Sequence, residues 1–88
     1  MYAILSLDLD NVTSSQRKIF YESLKEDKWI KFNNLTTTWY VSFNTDATEE
    51  GIIHTSQNDV KKAATTAKVD KYNAMLTVSS SKPTEFGS

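Results

Sequence analysis

The chain has 88 residues, 39% of them hydrophobic, with ten basic residues against eleven acidic ones and a formal charge of -1. That length suffices for one small domain with a thin core. The near-neutral balance excludes a global positive field, so any nucleic-acid binding would rest on a local patch or a metal ion. There is no cysteine, which excludes a disulfide framework and thiolate metal sites. No apolar run reaches the length of a membrane span, and no basic-then-apolar leader opens the chain. No membrane association and a cytoplasmic location are the expectations.

"YAILSLDL" (residues 2–9) alternates and predicts a first strand. Ala3, Leu5, Leu7 and Leu9 share one face; Tyr2, Ile4, Ser6 and Asp8 share the other. Continued alternation would carry Asp10 onto the Asp8 face. "DNVTSS" supplies turn and cap chemistry, with Ser14 or Ser15 as the expected helix cap. "SQRKIFYESLKEDKW" then reads as a helix of about 13 residues, with Phe20 and Leu24 on one stripe, Ile19 alongside, and Arg17, Lys18, Glu22, Lys25 and Glu26 facing water.

"WIKFN" reads as a short second strand, and "NN" before Leu35 as a turn. "TTTWYVSF" is the strongest strand signal, because its β-branched and aromatic residues suit a pleated surface. Thr37, Trp39, Val41 and Phe43 form its more apolar face, while Thr38, Tyr40 and Ser42 form the other. Residues 44–55 show no clear pattern. A helix could start at Thr48, but Gly51 in its interior would cost about 1 kcal/mol. From Ser56 the pattern clears: Ser56 with Asp59 resembles a capping box, and Val60, Ala63, Ala64 and Ala67 follow at helical spacing. "YNAMLTVSS" alternates as the last strand, with Tyr72, Ala74, Leu76 and Val78 on one face. Residues 81–88 read as a disordered tail, and "EFGS" is also what two adjacent cloning sites encode.

The order strand, helix, strand, strand, helix, strand predicts an α+β class. It is the ferredoxin-like βαββαβ arrangement, a four-stranded antiparallel sheet with both helices on one face, in a single domain over residues 1–80. The other sheet face would carry Tyr2, Ile4, Ser6, Tyr40, Ser42, Met75 and Thr77. It is too apolar for comfort in water and too polar for a monomer core, so Tyr2, Ile4, Ser6, Tyr40 and Met75 are the expected interface of a homodimer.

Asp8 is the candidate chemical residue. It ends a central strand on that face, and a hard cation such as magnesium takes oxygen ligands and tolerates water in its remaining positions. One carboxylate is a weak site; two copies of Asp8 brought together by a twofold axis make a better one. The structural alternative is a strand-end carboxylate bonding to turn amides. Asp10 and Asn11 suit a loop. Arg17 and Lys18 are candidates for phosphate contact, with a solvated helix face as the alternative. His54 has no acid partner placed by sequence and reads as a surface residue. Trp39 reads as core. Open-sheet binding of single-stranded RNA would need exposed aromatics, and only Tyr2 and Tyr40 qualify. There is no P-loop, nucleophile elbow or HExxH motif.

"MYAILSLDLD" resembles the opening of the small CRISPR-associated endoribonucleases, the Cas-two family, whose first strand ends in a catalytic Asp; Asp8 falls on that position. "SLDLDN", "RKIFYESLKEDKW", "LTTTWYV" and "VDKYNAMLTV" resemble, in order, the segments of the related SinR-like proteins. The VapD toxins share the same type of opening. The resemblance covers about residues 1–80 through short, degenerate motifs. It implies a ferredoxin-like homodimer with Asp8 at the interface, and magnesium-dependent cleavage of RNA or DNA phosphodiesters. The chain departs from the family in lacking strong basic character and in its "TDATEEGIIHTSQ" segment. The other expectation is a non-catalytic homodimeric interaction or regulatory module on the same fold, serving a toxin–antitoxin, phage or CRISPR system.

Overall fold

A computed structural model describes residues 1–87. In chain order the elements are β1 (Tyr2–Leu9), α1 (Ser14–Glu26), β2 (Ile30–Lys31), β3 (Thr38–Ser42), α2 (Glu49–Ala67) and β4 (Tyr72–Ser79). The sheet order is β2-β3-β1-β4 with every pairing antiparallel, which is the ferredoxin-like α+β arrangement. Its long strands are β1 and β4, paired along all eight residues from Tyr2↔Ser79 to Leu9↔Tyr72.

The alternation of β1 decides where the core lies. Ala3, Leu5, Leu7 and Leu9 are all buried, and each intervening side chain is half-buried or exposed. Leu5 stands opposite Trp39 on one side and Leu76 on the other, so these three share a face. Phe20 and Leu24 of α1 and Ile52, Val60, Ala63, Ala64 and Ala67 of α2 join that same cluster. Both helices therefore cover one face and leave the other open.

The helix ends correct two expectations. The cap of α1 is Thr13, not Ser14 or Ser15. Its Oγ1 accepts from the Gln16 N–H at 3.1 Å, and Gln16 Oε1 accepts from the Thr13 N–H at 2.9 Å. Only a Gln or Glu three residues on can close that reciprocal pair, and Gln16 stands three after Thr13. The second helix starts at Glu49, not Ser56. Thr48 Oγ1 accepts from the Gly51 N–H at 3.0 Å, and Glu49 and Glu50 complement the helix dipole in the first turn. Gly51 falls in that first turn rather than in the interior, and a Cβ there would press on Thr48 Oγ1 at 3.0 Å. Ser56 is a mid-helix residue on the buried stripe Ile52, Ser56, Val60, Ala63, Ala64, Ala67. Asp59 completes no capping box; its Oδ2 accepts from Trp29 Nε1 at 2.9 Å.

Both helices close alike. Lys28 and Lys68 take left-handed backbone, with φ of 74° and 58°. The next residue, Trp29 or Val69, donates its N–H back to Leu24 or Ala64 at 3.0 or 2.9 Å and is buried. This is the Schellman closure with a lysine where glycine is the usual choice.

Residues 81–87 form no helix or strand. Within them the Glu85 carboxylate accepts from the Asn34 N–H at 2.9 Å, and Pro83 and Glu85 border a depression with Ile30, Phe32 and Tyr40. The tail thus returns to the β2–β3 side. Ser88, the last residue of the tail expected over 81–88, lies outside the described residues.

Candidate functional site on the open sheet face

Strand alternation, confirmed by the register, gathers the predicted open-face residues into one patch. Tyr2 stands opposite Ser42, Ile4 opposite Tyr40 and Thr77, and Ser6 opposite Thr38 and Met75. Met75 is 71% exposed, a large apolar side chain with little of its own chain over it. Tyr40 differs: Phe32 stacks on it at a tilted 5.0 Å, and Lys82 Nζ of the tail lies 6.0 Å from its ring centroid. The β2–β3 half of the face is therefore partly covered by the chain itself. The half built from β1 and β4 is bare.

Asp8 sits on that bare half. It is exposed, stands directly opposite Asn73, and shares a shallow depression with Ser6, Thr37, Asn73 and Met75. Ser6, Thr37 and Asn73 are oxygen-bearing side chains around one carboxylate, the donor type that a hard cation takes; the Met75 thioether is not. Among the described residues no group of three or more His, Cys, Asp or Glu side chains is placed to hold a metal. The donor chemistry fits magnesium; the number of carboxylates fits only if a second chain adds its own.

The remaining candidates lie elsewhere. Asp10 follows the end of β1, and Asn11 turns the chain with φ 51°. Both line a separate depression with Gln16, Lys68 and Lys71. The shared acidic face expected for Asp8 and Asp10 therefore ends at Leu9, because the turn interrupts the alternation. Arg17 and Lys18 are exposed on α1 and border a third depression with Tyr21 and Glu22. They belong to the helix layer, on the far side of the sheet from Asp8. His54 is exposed, with its Nε2 3.2 Å from the Asn58 amide on the next turn. Trp39 is fully buried, with its ring edge-on to Tyr21 at 5.0 Å, which removes it from any stacking surface.

Sequence reasoning missed a polar cluster between the helices. Lys62 Nζ donates to Asp27 Oδ1 at 2.9 Å and lies in ion-pair contact with Oδ2 at 2.8 Å, and the Trp29–Asp59 bond lies beside it. Burial is the main cause of a raised Asp59 pKa; the Trp29 bond opposes it. The Asp27 bond raises that of the exposed Lys62. These partners stand 30 and 35 residues apart, so no local signal announces them. No protein-family model, curated protein or solved structure matches the chain. Among the described residues no helix is long and apolar enough to cross a membrane.

Proposed function

We propose that this is a Cas-two-like homodimer that cleaves RNA or DNA phosphodiesters with magnesium held between the Asp8 carboxylates of two copies. One observation carries the reading: Asp8 is exposed on the helix-free face, beside Ser6, Thr37 and Asn73 and next to the bare Met75. A mate seated on the β1–β4 half would cover Ile4 and Met75 and bring a second carboxylate to the same place. Magnesium bound there would stabilise phosphate charge and make its water more acidic. Asp8 holds the cation and Asn73 orients the carboxylate or the phosphate. Tyr2, Ile4, Ser6, Tyr40 and Met75 supply the contact surface; Arg17 and Lys18, in the opposite layer, stand apart from the reaction at Asp8.

The test is cleavage of single-stranded RNA and duplex DNA with magnesium by the wild type and by Asp8→Ala. Loss of activity in Asp8→Ala, with the dimer retained, supports the reading; unchanged activity rejects it. A second reading is a non-catalytic dimeric interaction module on the same fold. It is favoured by the solitary carboxylate of each chain and by the position of Arg17 and Lys18 in the opposite layer. A pure preparation that dimerises, cleaves nothing and ignores magnesium would establish it.

A further inference from the structure

The two edges of the sheet are built differently. On one side β2 has only two residues, with Pro83 and Glu85 of the tail beside it. On the other side β4 runs for eight residues, YNAMLTVS, without a charge or a proline. Nothing pairs with its outer side among the described residues. Every second residue of such a strand turns its N–H and C=O outward. Edges of this length are normally blunted by charge, proline or a covering element.

A groove of about 350 Å³ adjoins this edge on the helix side, lined by Leu5, Ser56, Val60, Lys61, Tyr72 and Leu76. Its floor is apolar. Ser56 is 1% exposed, and its hydroxyl has no hydrogen-bond partner among the described residues, although a mid-helix serine ordinarily bonds back to the preceding turn. Lys61 is the one charged residue in the wall. We propose that the β4 edge takes up an extended segment of a partner protein as an added strand, with an apolar side chain in the α2–β4 groove and a carboxylate facing Lys61.

Three observations select that occupant. Unpaired backbone groups in a row are matched only by another extended backbone. The groove accepts side chains from one face of that backbone, at every second position, so an apolar anchor and an acid two residues apart both reach it. The acid answers Lys61, whereas two copies of this chain joined edge to edge, helices on one side, would set two Lys61 ammonium groups along one seam. The chain's own tail is engaged at Asn34, on the opposite edge.

The probe is a capped eight-residue peptide alternating threonine with valine, leucine and glutamate on one face, titrated into the full chain by calorimetry. Amide NMR shifts locate the contact. We expect shifts along Tyr72–Ser79 and at Ser56 and Lys61. Methylating alternate amides of the peptide should weaken it at least tenfold. Lys61→Glu should weaken the glutamate peptide several-fold and favour a version with lysine in its place, without touching the fold. Asp8→Ala should bind the peptide as the wild type does, which separates this site from the proposed nuclease site. No binding at millimolar peptide, equal binding of the methylated peptide, or shifts centred on Asp8 would each overturn the proposal. So would a wild-type dimer whose outward-facing β4 amides are already protected from exchange, since a second copy would then own the edge.

Discussion

The two faces of one sheet obey different rules, and β1 shows both in consecutive residues. Leu5 is 2% exposed under the helices, while Ser6, its neighbour, is exposed on the open side. The covered face is specified by burial and nearly free of chemistry. The β1–β4 half of the open face carries Asp8, Asn73 and an uncovered Met75. The core and the proposed site are thus separable by strand parity.

The sharpest break of that contrast is Leu5→Ala against Ser6→Ala. Loss of the buried side chain should cost about 2–5 kcal/mol; the exposed change should stay within about 0.5 kcal/mol. Urea unfolding midpoints compare them directly, and equal costs would mean that the open face is packed as tightly as the covered one. Trp29→Phe comes next. It keeps an aromatic ring against α2 but removes the donor to Asp59, for a loss on the order of 1–2 kcal/mol.

Lys28→Gly and Lys68→Gly should each stabilise by about 0.5–1 kcal/mol, because glycine meets positive φ without Cβ strain. A fall in melting temperature for both would show that the lysine side chains contribute more than the backbone loses. The smallest effect concerns pH. Asp59 has a folded pKa raised above its ordinary 3.8, so the native state binds its proton more tightly than the unfolded chain does. Its favourable contribution is present below that ordinary value and is lost as pH rises through the raised one. Asp59→Asn keeps an oxygen for Trp29 and removes the charge. It should be more stable than the wild type at neutral pH, and the gap should close on acidification.

How much of this was legible followed the same division. The strand parity of β1, the buried Trp39 and the element order were readable because burial imposes a period on the side chains. The start of α2 was not, because Ser56 interrupts an otherwise apolar stripe and mimics a cap. Thr13 was overlooked in favour of the serines after it, although Gln16 stood three residues on as the signal. The Trp29–Asp59 and Asp27–Lys62 contacts are products of the two helices packing together, with no trace in local spacing. Asp8 was placed on its face by parity alone. What completes its site would be a second chain, and that contribution has no period to read.

Convergence of two chains at Asp8 is therefore the point to measure. The protein has no cysteine, so Asn73→Cys introduces a single thiol directly opposite Asp8 and leaves the carboxylate in place. Treated with a short bis-maleimide in magnesium, it should give a covalent dimer in high yield, while Lys18→Cys, in the helix layer, should not. A monomer at position 73, or equal linkage at both positions, would contradict a twofold site on the open face.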